Sequence, residues 1–237
     1  SFRNVEIYIS DEYYPAPADN HSRNRRLYEE LISKVDVNPE NVHVPKLSEL
    51  HDSSYVTEFC AEYDAKASGL DLLVMGMGEK GQIGFNEAGA SEQSRTRTVL
   101  LPYVSRKRQV KNFAGNLEAT PHTAIAMGIS TMLSAKKIHL IAWGEDKADV
   151  VRRVSEDKAD PTCPASLLQK HDNISIYVDE NSASQLTRNV APWLVGPCEW
   201  TPKFIRKAVV WLCEQVHKPI FKLTQGDYLA NGLGELL

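Results

Sequence analysis

Short apolar runs rich in Val, Ile and Leu recur along the chain, at residues 5–10, 41–44, 70–76, 138–143 and 174–178. The stretches between them are polar, with apolar positions three and four apart, so strands alternate with helices. Two of the runs, Leu72-Leu73-Val74-Met75 and Leu140-Ile141-Ala142-Trp143, are apolar without interruption. That pattern suits strands covered on both faces in a parallel sheet. The helical spacings fall at residues 20–35 (Leu27, Leu31, Ile32), 53–67 (serine before Tyr55, Val56 and Phe59), 123–133, 147–154 and 202–216 (Phe204, Ile205, Val209, Val210, Leu212). The expected architecture is a three-layer α/β/α fold on a mostly parallel sheet. Residues 1–190 form its main domain, and residues 191–237 a helical extension packed on it.

Composition narrows the classes. With 42% hydrophobic and 24% charged residues, the chain can bury a substantial core, which excludes a disordered or fibrous protein. The balance of 27 basic against 31 acidic residues leaves a formal charge of -4 and no overall attraction to nucleic acid or an anionic membrane. A charged small molecule needs only local charge. Cys60, Cys163, Cys198 and Cys213 are far apart without a CxxC pair, which predicts reduced thiols in a cytoplasmic protein without a structural metal. No apolar run approaches the roughly 20 residues that span a bilayer, and the first residues lack a signal-peptide layout. The chain opens almost inside its first strand, at Val5, as though a preceding element lay upstream.

Ligands of open parallel sheets sit beyond the carboxyl ends of the strands. Two such ends carry chemistry. One continues into Asp11-Glu12-Tyr13-Tyr14, the other into Gly76-Met77-Gly78-Glu79-Lys80-Gly81-Gln82-Ile83-Gly84-Phe85-Asn86-Glu87. Gly76, Gly78, Gly81 and Gly84 suit either a backbone cradle for a ligand or a plain strand-to-loop turn. Their spacing matches neither the dinucleotide fingerprint nor the phosphate loop, so no nicotinamide cofactor is expected. Asp11 reads as a site acid or a turn acid, and Glu87 as a site acid or an exposed one. Arg106-Lys107-Arg108 with Lys111 reads as a solvated face or a phosphate contact. His122 and His171 have no metal-ligand spacing and suit capping or surface roles.

In this order the motifs resemble the glucosamine-6-phosphate deaminase/isomerase family, over nearly the whole chain. The matching segments are Asp11-Glu12-Tyr13, the glycine loop through Phe85-Asn86-Glu87, Ser94-Arg95-Thr96-Arg97, Ala124-Ile125-Ala126-Met127-Gly128 and Gly144-Glu145-Asp146-Lys147. The related 6-phosphogluconolactonases share the fold and the loop, but the first and third segments favour the deaminase branch. The resemblance implies a Rossmann-like sheet, a sugar-phosphate substrate, no cofactor, and conversion of glucosamine 6-phosphate to fructose 6-phosphate with release of ammonia. It implies that Asp11 takes the C2 proton, that Glu87 assists ring opening, and that Lys147 and Lys111 bind phosphate, with Gly76, Gly78 and Gly81 in the substrate loop. Arg97 matches a position used for effector binding in some relatives, and a homo-oligomer stays open. The chain departs from the family where Lys80 and Gln82 stand in place of the loop's aspartate and its ring-opening histidine. The family's first strand and its Gly-Gly-Thr phosphate loop would lie upstream of residue 1. The stretch from Pro192 through Trp200 resembles the extension of longer deaminase-like proteins that continue into a second module. A non-catalytic sugar-phosphate binder or regulatory module is the alternative, since the binding residues are largely kept while the relay is not. A sugar-phosphate lactonase is more distant, because that chemistry also leans on the loop histidine.

Overall fold

The computed structural model describes residues 1–17 and 21–237. Two compact units divide the chain, residues 1–142 with 153–177, and residues 143–152 with 178–237. In chain order the elements are β1 Ile7–Tyr8, β2 Asp11–Tyr14, α1 Arg23–Glu30, β3 Val42–His43, α2 Ser53–Ala67, β4 Leu73–Gly76, β5 Arg97–Leu100, α3 Tyr103–Gln109, β6 Thr123–Ala126, α4 Ile129–Leu133, β7 Ile138–Ala142, α5 Ala148–Glu156, β8 Ile174–Val178, α6 Thr187–Val190, α7 Pro202–Val216 and α8 Gln225–Ala230. Parallel pairing joins β1 to β3 and β4 to β7, with β8 beside β7, while β2, β6 and β5 form a separate antiparallel sheet.

All five expected strands are present, mostly shortened, and α2 has the expected bounds. Asp52 caps α2 by accepting a hydrogen bond from Tyr55 N at 2.9 Å. Its buried residues Val56, Cys60, Tyr63, Asp64 and Ala67 lie on one helical stripe. From that stripe the Tyr63 hydroxyl reaches Ile9 O at 2.7 Å and His43 O at 3.2 Å, tying α2 to the β1–β3 sheet. Burial pushes the pKa of this hydroxyl up.

Four local expectations are corrected. Residues 123–126, read as the start of a helix, are the central strand of the antiparallel sheet. Ala124, Ile125 and Ala126 are buried there, and burial between two partner strands overrides the helical preference of alanine. Gly128 then separates strand from helix, because a Cβ at that position would meet Ser94 O at 2.1 Å. The helix expected over 20–35 is only α1, followed by a tight turn at Ile32–Lys34; residue 20 lies outside the described residues. Third, β4 is not covered on both faces. Leu73 and Met75 are buried, but Val74 and Leu72 are exposed, and in β7 His139 and Ile141 are only half-buried. Fourth, Asp11 does not trail the first strand but opens β2, pairing with Ala126 where the chain leaves one sheet for the other. Met127 N donates to Ser10 O at 2.7 Å at that crossing.

In the second unit, α7 starts at Thr201, which accepts from Phe204 N at 3.3 Å, and ends where His217 turns left-handed at φ 51°. Its Ala208 and Leu212 pack with Ala191, Trp193 and Leu233, against which Trp200, Phe204 and Trp211 also lie. Burying large apolar side chains like these contributes roughly 1.5–3 kcal/mol each, so this unit has a core of its own.

One buried carboxylate braces the first unit. Asp64 accepts from Thr96 N at 2.7 Å, from Thr96 Oγ1 at 2.8 Å and from Thr131 Oγ1, and it pairs with Arg95 Nε at 2.7 Å, so α2 holds α4 and the segment that leads into β5. Burial alone would raise its pKa, yet the hydrogen bonds from Thr131 and Thr96, with Arg95, hold it below the ordinary aspartate value. Burial and the Asp64 charge push the neighbouring Cys60 thiol up to about 11, so it stays protonated at neutral pH. A depressed carboxylate contributes stability above its unfolded pKa and loses it as pH falls through its folded one. Asp64→Asn is therefore expected to cost about 1–3 kcal/mol at pH 7. Below about pH 4 the gap to the parent should narrow, as acid titrations of unfolding free energy will read.

Candidate active site

The candidate site is built where the glycine loop passes the buried acid of β2. Asp11 is 4% exposed. A Cβ added to Gly84, whose φ is +55°, would stand 3.1 Å from Asp11 Oδ2, so the loop backbone runs directly against the carboxylate. Ser10 Oγ donates to Asp11 Oδ2 at 2.7 Å, and Arg23 Nη1 lies 2.5 Å from Asp11 Oδ1. The Arg23 guanidinium also sits over the Phe85 ring, 4.5 Å from its centroid. Phe85 is itself buried with Tyr13, Phe113 and Leu101.

Glu12, fully buried beside Asp11, explains why Arg23 arrives there. It accepts from Ser22 Oγ at 2.6 Å, from Asn24 N at 3.0 Å and from Arg23 N at 3.2 Å. A carboxylate on the free amides of a helix's first turn satisfies donors that have no partner within the helix. The Asp-Glu pair of β2 thus holds the backbone of α1 with one acid and the side chain of Arg23 with the other.

The loop has its own framework. Gly78 N donates to Gln82 O at 2.8 Å and Gly81 N to Gly78 O at 2.9 Å. The Gln82 side chain folds over Gly78, where any Cβ would come within 2.3 Å of its Cδ, and its Oε1 accepts from Lys80 N at 3.0 Å. Gly81 has φ +78° and is backed by Cys163, while Ala165 N donates to Gly81 O at 2.7 Å. Further on, the fully buried Asn86 donates through Nδ2 to Met127 O at 2.8 Å and Ile83 O at 3.1 Å, and accepts at Oδ1 from Arg97 Nη2 at 3.0 Å. Burial lowers the Arg97 pKa. Glu87 is half-buried and accepts from Ser105 Oγ on α3.

Among the residues singled out from sequence, Asp11 meets the glycine loop at Gly84, and Gly76, Gly78, Lys80, Gly81, Gln82 and Glu87 lie along that same loop. Lys80 is exposed on the loop, and Lys111 is exposed in the turn Val110–Phe113. Lys147 belongs to the second unit, where its Nζ lies 2.6 Å from Asp146 Oδ2. The basic cluster divides: Arg106 is buried and donates to Thr120 O at 3.1 Å and Leu117 O at 2.7 Å, whereas Arg108 lies 3.4 Å from Glu79. His171 caps, reaching Ala135 O at 2.6 Å and accepting from Asn173 N at 3.1 Å. Sequence reasoning missed Arg23, Asn86 and the role of Glu12. Glu12 with Ser22 was the available signal, an acid able to cap the first turn of a nearby helix. Among the described residues no cluster of three or more His, Cys, Asp or Glu could hold a metal, and no helix is long and apolar enough to cross a membrane.

The fold and site define a Rossmann-like α/β domain with a glycine loop set against a buried strand acid. Residues 1–176 match the family model described as glucosamine-6-phosphate isomerases/6-phosphogluconolactonase, and the chain belongs to that family. It is 43% identical, over its full length, to a glucosamine-6-phosphate deaminase-like protein of Bacteroides thetaiotaomicron, of which it spans 36%, about a third. It is 33% identical over 190 residues to glucosamine-6-phosphate deaminase 2 of Bacillus subtilis, covering 78% of this chain and 75% of the relative. A solved structure of a monomeric glucosamine-6-phosphate deaminase superposes with a TM-score of 0.71 at 29% identity, covering 78% of this chain and 76% of that one. The 6-phosphogluconolactonase of Trypanosoma brucei, at 17% identity and TM-score 0.56 over 76% of this chain and 73% of that one, shares the fold.

Gly81 tests the loop's framework. A Cβ there would fall 2.2 Å from Cys163 Sγ on a left-handed backbone. Gly81→Ala is expected to lower stability by about 1–3 kcal/mol, and by less in a Cys163→Ala background, where mainly the backbone strain remains. Equal losses in both backgrounds, read by denaturant unfolding, would contradict the packing described.

Proposed function

We propose that the chain carries the site of a sugar-phosphate enzyme of the glucosamine-6-phosphate deaminase type, converting glucosamine 6-phosphate to fructose 6-phosphate and ammonia. The observation that carries this reading is the buried Asp11 carboxylate held against the glycine loop at Gly84. A carboxylate fixed by Ser10 and the loop can take a proton from the carbon next to an open-chain carbonyl or imine. The electron pair left on C2 forms the enolamine; the proton is returned at C1, and water then displaces ammonia. The half-buried Glu87, oriented by Ser105, assists ring opening as the acid. Lys111 supplies charge for the phosphate, as a point charge without arginine's two-pronged fork.

One observation limits this chemistry. Gln82 stands where the related loop has histidine, and its amide is folded over Gly78 and bonded to Lys80 N. An amide does not exchange a proton near neutral pH, so it holds the loop but does not relay. The same feature supports the second reading, a sugar-phosphate binder that does not turn over.

General acid-base help at a ring-opening step is typically worth about 10²–10⁴-fold, which sets the expected deficit of the parent protein on closed-ring substrate. Restoring the relay as Lys80→Asp with Gln82→His should raise ammonia release from glucosamine 6-phosphate. Asp11→Asn in that background should abolish it. A restored variant that binds the sugar phosphate yet releases no more ammonia than its parent would favour the non-catalytic reading.

A further inference from the structure

Asp11 is the proposed base, but its two oxygens are not equivalent. Oδ1 is buried and lies 2.5 Å from Arg23 Nη1. Oδ2 accepts from Ser10 Oγ at 2.7 Å and faces the glycine loop, where a Cβ on Gly84 would stand 3.1 Å away. The guanidinium has a platform of its own, 4.5 Å from the centroid of the Phe85 ring, and the Arg23 backbone N–H donates to the fully buried Glu12 at 3.2 Å. Phe85 directly follows Gly84 in the chain, so the loop that meets one carboxylate oxygen also seats the cation that binds the other.

We infer that Arg23 is a positioning residue that occupies Asp11 Oδ1 and so assigns proton transfer to Oδ2, the oxygen toward the glycine loop. The inference rests on the sugar-phosphate reading of the same site. A carboxylate turns readily about its last side-chain bond and can offer either oxygen. A cation on Oδ1, itself seated on a buried ring, stops that rotation. Ser10 uses one acceptor direction of Oδ2 and leaves another for a proton arriving from carbon. Arg23 also supplies the countercharge that a buried carboxylate requires. Its side chain does not have to start α1, because Glu12 holds the backbone amides of Arg23 and Asn24 whatever that side chain is. At 41% exposure, its replacement leaves no cavity in a core. The consequence of losing it is a misdirected base, and a misplacement of about 1 Å at a reacting group can cost about 10²-fold in rate.

The test runs the reaction toward glucosamine 6-phosphate, from fructose 6-phosphate and ammonium in D2O, because the ketose opens unaided and the missing loop relay does not enter. Ammonia condenses at C2 with loss of water to give the iminium. Asp11 Oδ2 then takes a proton from C1, the C1–H electron pair becomes the C1–C2 double bond, and the pair of the C2–N double bond moves onto nitrogen. The proton is returned at C2 while the C1 hydroxyl gives its own proton to solvent. Loss of the C1 proton is read by NMR as deuterium entering at C1 and as amino sugar formed, for the full chain and for Arg23→Gln and Arg23→Lys, with thermal unfolding measured on each. Arg23→Gln should lower kcat by about 100-fold while KM for fructose 6-phosphate stays within about threefold. Arg23→Lys, which returns the charge without the same geometry, should fall about three- to tenfold below the parent. An ion pair that merely braces α1 would lower the unfolding temperature of both variants and leave kcat unchanged. That result, a loss confined to KM, or a lysine variant as slow as the glutamine one would each overturn the inference while leaving the sugar-phosphate reading intact. Should Arg23→Gln fail to fold, the lysine variant decides, its lowered kcat supporting the inference and an unchanged kcat overturning it. A folded parent that gives neither deuterium entry nor amino sugar would overturn the sugar-phosphate reading and this inference with it.

Discussion

Everything in the candidate site depends on two adjacent buried acids at the point where the chain crosses from one sheet to another. Asp11 and Glu12 open β2, and each is committed to α1, one through the Arg23 side chain and one through the first-turn backbone. A buried carboxylate is tolerated only when its oxygens are met by donors or a countercharge. Glu12 has Ser22, Arg23 N, Asn24 N and Tyr13 N. Hydrogen bonds to a charged group contribute about 1.5–3 kcal/mol each, so the Glu12 set is large against ordinary domain stability of about 5–15 kcal/mol. The start of α1 is therefore fixed by chemistry in β2, and the charge beside Asp11 follows from that.

The loop answers the acid from the other side. Gly84 lets backbone reach the carboxylate, Gly81 turns left-handed against Cys163, and Asn86 bolts the loop's end to the central strand's continuation at Met127. Arg97 closes that arrangement by donating to Asn86 Oδ1. A second residue of the same segment, Arg95, pairs with Asp64, so both arginines of Ser94-Arg95-Thr96-Arg97 serve the framework around the site. Gln82 is part of this framework, its side chain folded over Gly78 and its Oε1 accepting from Lys80 N.

Much of this was legible in the sequence, for identifiable reasons. α2 carries a serine start and a buried stripe that is apolar but for Asp64, and the acid and glycine segments stand in the expected order, each following a run read as a strand. What failed failed where tertiary contact decides. The alanine-rich β6 has a helical composition, and only its two neighbouring strands make it extended. β5, with Leu100 and Thr98 exposed, shows no apolar alternation that would mark it. Arg23 sits in a polar Arg-Asn-Arg-Arg run that reads as a solvated face, and only the geometry reveals that one of its three arginines is held on a buried acid. Asn86 carries no signal of its own, since a buried amide and an exposed one look alike in sequence.

The central claim is that Asp11 faces the reacting carbons of a bound sugar phosphate across the glycine loop. The most direct measurement is a crystal structure with fructose 6-phosphate bound. The account predicts C1 and C2 of the sugar within about 3.5 Å of the Asp11 carboxylate, the distance required of a poised proton transfer. A sugar phosphate bound in order elsewhere, with those carbons turned away from Asp11 and Gly84, would contradict it.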